Sequence, residues 1–486
     1  MAYRYGQDRN QMVLFPQSID QYVPGDHPVR AYDAFVDTLD FEQLGITLNN
    51  RKVGNSQYDP RAMLKLLLYG YSYGIRSSRK LEREVYNNLS FIWLMKNLKP
   101  DHKTIAEFRR KNKAALKRSL KLCAQLCIKL DLISGNTLFV DSTKVRASAG
   151  KAHQHKKKWY QKQLAQVDQR INEILDECDH VDADETQLNS MVKMPKELAQ
   201  SKKLKETIQT ALAEFETRGT KTKNGKDRSV NRTDPQSNMM KGVQGTHPSY
   251  AVHNVVDDKN GLIAHTDAVN DANDSHQLAE QVNGAESNLG HSCKEACADA
   301  GYSDINQIDK IETDDREVIV PSPHQVSHKE PKAFSKREFT YDAENDLYIC
   351  PAGQRLVFRH YQNKEKTKRD YRIEKPALCR ACMNFGKCTS SKQGRTIVRH
   401  VKERLKEKIE ARYCQPKGQQ VYQRRKARVE HPFGYMKKNL GFGQFLLRGI
   451  QGAQAEASLV ATCFNVTRMI NLLGGVRMFI TKLGTV

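Results

Sequence analysis

Thr137-Leu138-Phe139-Val140-Asp141-Ser142-Thr143-Lys144-Val145 combines a strand pattern with an acid that strands seldom carry. Its β-branched and aromatic residues predict a strand. A carboxylate placed directly after three apolar residues is costly unless it is paired or metal-bound. The arrangement recurs at Ala296-Cys297-Ala298-Asp299, which precedes Ala300-Gly301-Tyr302. A third acid, Glu430, ends the basic helical run Arg424-Arg425-Lys426-Ala427-Arg428-Val429-Glu430. Carboxylates at strand ends and on an adjacent helix can converge on divalent metal and support phosphoryl transfer. Each acid also has a plain structural reading: a salt bridge for Asp141, a helix cap for Asp299, and a solvated face for Glu430. Glu403, Glu407 and Glu410 illustrate the last, interleaved with Lys402, Arg404, Lys406 and Lys408.

Outward from that strand, residues 250–256 and 262–269 read as two more, joined by the hairpin turn Asp257-Asp258-Lys259-Asn260-Gly261, where Asn-Gly tolerates positive φ. A helix starts near Ser275, a buried strand spans 295–299, a helix 303–311 and a strand 317–321. Three strands followed by helix–strand–helix–strand imply an α/β (mixed) fold with helices packed on a mixed sheet. Residues 419–438 read as a basic helix and 451–473 as a final amphipathic one. Two insertions interrupt this core. Residues 148–228 are basic, with a helical stretch from His153 to Cys178 and a polar tip; residues 322–415 are loop-rich and basic.

Residues 1–130 read as an all-helical module. Asp59 caps a helix with Pro60 at its first position. Thr104-Ile105-Ala106-Glu107 is a capping box expected to open one long helix reaching Cys127. Arg109 and Arg110 lie on it, and such a module either binds DNA in the manner of a helix-turn-helix or serves as a scaffold with a basic face.

The whole chain has 486 residues, so more than one domain is expected. Its 79 Lys and Arg against 56 Asp and Glu give a net charge of +23, which favours an anionic partner, double-stranded DNA first. No signal peptide or transmembrane segment is read, and the expected location is cytoplasmic, with no membrane partner. The eleven cysteines then read as reduced thiols or metal ligands. Cys350, Cys379, Cys382 and Cys388 form a candidate four-cysteine zinc site, with Cys379 and Cys382 at knuckle spacing, or else thiols packing a loop. Trp159, after His153 and His155, is available to stack on a base or to pack inside. Gly242-Val243-Gln244-Gly245 has too short a glycine spacing for a phosphate loop, so no nucleotide cofactor is expected.

Taken in order, Leu138–Thr143, Ala298–Tyr302 and Val429-Glu430-His431-Pro432-Phe433-Gly434-Tyr435-Met436-Lys437 resemble the three acidic motifs of bacterial insertion-sequence DDE transposases. Pro100–Ile105 with Phe108-Arg109, and Asn270–His276, are supporting stretches, and the resemblance spans roughly residues 10 to 475. It implies a ribonuclease-H-like catalytic domain over residues 131–475 and a DNA-binding helical domain over 1–130. It further implies that Asp141, Asp299 and Glu430 hold two Mg²⁺ (or Mn²⁺) while water or a DNA 3′-hydroxyl attacks a phosphodiester. That family often carries a Tyr, an Arg and a Lys seven before, four before and seven after the Glu. Lys437 fits the last place; Gln423 and Lys426 occupy the others, with Tyr422 and Arg425 one residue away. Lys437, Arg425, Lys426, Arg109 and Arg110 are thus candidate DNA contacts. Holding two DNA ends implies a homodimer or larger assembly on DNA, in a bacterial, nucleoid-associated setting.

Overall fold

The computed structural model describes residues 18–48, 57–183, 194–222, 225–243, 245–327 and 333–485. The N-terminal start read as lacking a signal peptide, and residues 184–193 and 223–224 of the first insertion, lie outside them. Helices come first: α1 (Pro28–Asp37), α2 (Phe41–Leu44), α3 (Pro60–Ser72), α4 (Ser78–Asn87), α5 (Leu89–Leu94), α6 (His102–Lys111) and α7 (Lys113–Lys129). Asp59 accepts from the Arg61 N–H and Pro60 opens α3, as its sequence predicts. The single long helix expected from Thr104 to Cys127 is two. Asp101, not Thr104, is the cap, its Oδ1 accepting from the Thr104 N–H at 2.7 Å. The break falls at Asn112, whose side chain donates to the Phe108 carbonyl at 2.9 Å. Asparagine competes with the helix for backbone partners in this way.

β1 (Thr137–Arg146) follows, with Leu138, Phe139 and Val140 fully buried. β2 (Gln154–Lys156) then delays the next helix, read from His153, to α8 (Lys157–Ala183); α9 (Met194–Arg218) packs beside it and β3 (Ser229–Asn231) pairs with β2. Tyr160, Ile171, Ile208, Ala211 and Phe215 give this hairpin a small core of its own. The rings of His155 and Trp159 stack 3.6 Å apart, and Trp159 packs against that core.

β4 (Asn238–Gly242), β5 (Gly245–Asp257) and β6 (Ile263–Val269) continue the main sheet, and α10 (Leu278–Leu289) leads to β7 (Glu295–Ala298). The strand order is β4-β5-β1-β7, with β6 also on β5. β1 and β5 are antiparallel in a register that sets Asp141 opposite Asn254 and Thr143 opposite Val252.

The chain divides into two compact units, one of residues 1–274, 280–296 and 424–486, the other of residues 275–279 and 297–423. The second unit holds α11 (Ile305–Ile311), β8 (Glu317–Ile319), β9 (Thr340–Asp342), β10 (Leu347–Ile349), β11 (Arg355–Tyr361), β12 (Lys368–Ile373), α12 (Pro376–Arg380), β13 (Thr396–His400), α13 (Glu403–Cys414) and the start of α14 (Pro416–Lys438). The loop-rich reading of 322–415 is corrected here: β9 to β13 form a five-stranded antiparallel sheet. Its strands are short, and basic side chains such as Arg355, Arg369 and Arg399 are interspersed among the core residues Leu356, Tyr371 and Ile397, which dilutes the strand signal.

α15 (Ile450–Leu472) and α16 (Val476–Leu483) complete the first unit. α15 is buried along most of its length, and α3, α7 and β6 pack on it. Among the described residues no single helix is long and apolar enough to cross a membrane.

Candidate active site

Asp141 sits mid-strand in β1, half-buried, where the strand leaves the apolar run that anchors it. Its Oδ1 accepts from the Ser142 N–H at 2.8 Å. Arg425, from the half of α14 that belongs to the same unit, brings Nη1 to 3.5 Å from Asp141 Oδ2. Two residues along β1, and therefore on the same face, Thr143 meets the Lys437 ammonium of α14. Asn254, opposite Asp141, directs its amide to Met436 of α14 at 3.6 Å and accepts from the Thr266 hydroxyl at 2.7 Å. Thus α14 lies along this face of β1 and β5 and presents two cations to it. Burial lowers the pKa of Lys437.

Glu430 lies on α14 between those two cations, exposed, directly after buried Val429. It precedes Lys437 by seven residues, two helical turns, so the two share a helix face. Pro432 stands inside α14, whose helical assignment continues to Lys438; its missing N–H leaves the Arg428 carbonyl without the usual helical donor.

The opposite face of β1 is organised by Lys144, which bonds Asp274 at 3.0 Å. His253, buried on β5 opposite Ser142, lies 3.7 Å from Asp274, and burial lowers its pKa to about 4. The segment before α10 that supports the family resemblance is thereby tied to the strand bearing Asp141. His253 and Asn254 were missed in the sequence. The signal was there: two polar residues in the otherwise apolar run 250–256 must be bonded inside the protein.

In the second unit, Asp299 directly follows β7 and caps the short 3₁₀ turn Ala300–Tyr302, its Oδ1 accepting from the Gly301 N–H at 2.8 Å. A Cβ at position 301 would lie 2.9 Å from that oxygen, so glycine lets the carboxylate fold back. The capping role read as the alternative is the contact Asp299 makes. Asp141 and Glu430 belong to the first unit and Asp299 to the second. Among the described residues no three His, Cys, Asp or Glu side chains are gathered as they would be around a metal ion.

The basic candidates separate. Lys426 is exposed on α14. Arg110 is exposed and paired with Glu107 one turn earlier at 2.6 Å. Arg109 is corrected as a DNA contact: it is buried, and Nη1 donates to the Tyr71 hydroxyl at 2.9 Å and the Arg76 carbonyl at 2.8 Å, joining α6 from within to α3 and to the segment ahead of α4. A helix presents its faces in turn, so of two adjacent arginines one faces the core. Cys350, Cys379, Cys382 and Cys388 all line one cavity of the second unit.

Residues 17–111 match the family described as Transposase domain (DUF772), and residues 349–470 match Transposase DDE domain. These two segments are similar to transposase domains, the second of the DDE type. Nothing matches among the curated proteins. Among solved structures the chain is similar to the piggyBac transposase synaptic complex with hairpin DNA, seen by cryo-EM, with a TM-score of 0.33 and 8% identity over 94% of this chain and 79% of that one.

Proposed function

We propose that this chain is a DDE transposase that cleaves DNA at the ends of its element and joins them to target DNA, with Asp141, Asp299 and Glu430 as the carboxylates that hold divalent ions. The observation that carries the reading is the conjunction on one face of β1: the Asp141 carboxylate with Arg425 at 3.5 Å, and Lys437 two strand positions away on the helix that bears Glu430. A structural salt bridge needs one cation; a second, exposed lysine beside an acidic position suits the negative oxygens of a phosphodiester. Magnesium or manganese, when bound, supplies Lewis acidity and an activated water. Arg425 pairs with Asp141 here, and with a divalent ion on that carboxylate it would be available to phosphate. Lys437 presents its ammonium where the scissile phosphate lies, and Lys426 and Arg110 engage neighbouring phosphates. DNA ends must be held in pairs, so the working form is a homodimer or larger assembly on duplex DNA.

A related reading is a nuclease that cuts without joining, and a third is a DNA-binding protein without activity. A 3′-labelled end fragment incubated with wild type and Asp141→Asn in magnesium separates them. Joined product from wild type alone is the expected result. Nicking without joined product favours the nuclease. Equal nicking by both proteins, or none where DNA is bound, removes the catalytic assignment.

A further inference from the structure

Apart from the DNA-processing site, the second unit contains four thiols in one pocket. Cys350 follows β10, Cys379 lies in α12, and Cys382 and Cys388 lie in the loop beyond it; all four line the same cavity with Leu356 and Arg395. Two turns present sulfur atoms to it in the same way. In Cys350-Pro351-Ala352-Gly353-Gln354, the Gly353 N–H donates to the Cys350 carbonyl at 2.8 Å and the Gln354 N–H to Cys350 Sγ at 3.3 Å. Gly353 sits at φ +74°, which closes that turn. In the second, the Cys382 N–H donates to the Cys379 carbonyl at 3.2 Å and the Arg395 N–H points to Cys379 Sγ at 3.5 Å. Gly394, at φ +79°, allows that approach: a Cβ there would meet Ile373 at 2.4 Å and the same sulfur at 3.2 Å. Backbone N–H groups aimed at sulfur stabilise a thiolate, the form that binds metal.

The four groups also feel one another. Burial pushes the Cys388 thiol up, as do Cys379, Cys350 and Cys382, while Arg395 works the other way. Arg395 is fixed above them, donating to the Cys388 carbonyl at 3.1 Å and the Phe334 carbonyl at 2.8 Å. The sheet they adjoin has a small core: Phe339, Tyr348, Leu356, Tyr371, Ile373 and Ile397 are its buried residues. A layer of that size gains from a covalent or metal staple.

We propose that Cys350, Cys379, Cys382 and Cys388 bind one structural zinc ion, which ties the β10–β11 turn to α12 and the loop after it. The sulfurs line the pocket without being gathered at one point, so binding draws them in by side-chain rotation to tetrahedral geometry. Four thiols lose their protons and one Zn²⁺ enters, leaving a site of charge −2 that Arg395 offsets. No electron transfer is involved, and the proton release makes occupancy rise with pH.

The test is metal content of the full-length protein purified without chelator. About one zinc per chain is expected for wild type and for Cys414→Ser, whose thiol is exposed and outside the cluster; Cys350→Ser and Cys382→Ser are expected to lose more than half. Cobalt exchanged into wild type should give a thiolate-to-metal charge-transfer band and tetrahedral ligand-field intensity. Should the serine variants not fold, a mercurial added to wild type should release zinc to a colorimetric chelator. Absence of zinc in wild type, unchanged zinc in Cys382→Ser, no release by the mercurial, or a Cys379–Cys382 disulfide in the freshly purified protein each overturns the site. These readouts do not depend on DNA cleavage, so the zinc site and the proposed carboxylate site stand or fall separately.

Discussion

Arg76 and Glu456 are 380 positions apart in sequence and form a buried ion pair, Nη1 to Oε1 at 2.7 Å. Both side chains bond further. Arg76 Nη2 donates to the Gly441 and Gln444 carbonyls at 2.6 and 2.9 Å, and Glu456 Oε2 accepts from the Leu446 and Leu447 N–H groups at 2.8 and 3.0 Å. Arg76 also stands 5.5 Å over the Phe442 ring. Removing one partner of such a pair strands the other charge in the interior. Arg76→Met is therefore expected to lower unfolding free energy by about 3–5 kcal/mol, read as a shift of the urea midpoint. In a double-mutant cycle, adding Glu456→Gln to Arg76→Met should cost clearly less than in wild type. Additive losses would show that the pair is not coupled.

The neighbouring arginines of α6 should behave in opposite ways. Arg109→Met removes two interior hydrogen bonds and should cost about 2–4 kcal/mol. Arg110→Ala should leave the unfolding midpoint unchanged. Lys437→Met, by contrast, should weaken DNA binding for any sequence and reduce the slope of log K against log salt by about one. Titrations at several salt concentrations check this; an unchanged slope removes Lys437 from the phosphate contacts.

His265 supplies a pH dependence. Burial lowers its pKa to about 4, with Lys117 acting in the same direction. The unfolded chain then takes up a proton near 6.5 that the folded chain refuses until about 4. Stability due to this group is present above pH 6.5, falls as pH drops through that window, and is fully lost below pH 4. His265→Gln should flatten the fall by on the order of 2–3 kcal/mol between about pH 7 and pH 4. Urea curves that decline in parallel for both proteins would exclude the assignment.

Gly70 lies inside α3, where alanine ordinarily gains about 1 kcal/mol. Here a Cβ would fall 2.2 Å from Leu81 Cδ2 and 3.1 Å from the Ile75 carbonyl oxygen. Gly70→Ala should thus destabilise, by about 1–3 kcal/mol from overpacking. A raised thermal midpoint would mean that α4 can move away.

Strand β1, the 257–261 turn and α15 were legible because each rests on local pattern: β-branched residues, a turn dipeptide, a long apolar stretch. The break at Asn112 was not, since one asparagine competes weakly with helical spacing on both sides. The five-stranded sheet of the second unit was hidden by strands as short as three residues, and by the arginines on its longer ones. At the candidate site, Asp141 could be singled out by the run before it. Its partner could not: Arg424, Arg425 and Lys426 look alike in sequence, and only the pairing of β1 with β5 and the course of α14 select Arg425. Burial separates Arg109 from Arg110 for the same reason.

The packing of α3 and α7 against α15 has a consequence for synthesis. Leu67, Leu68, Leu120 and Cys123 are buried in a unit whose central helix leaves the ribosome several hundred residues after them. Until then these helices expose apolar faces and hold no settled arrangement. Messages cut short ahead of α15 should yield chains that chaperones retain and proteases clear, so the cell would contain whole protein or almost none.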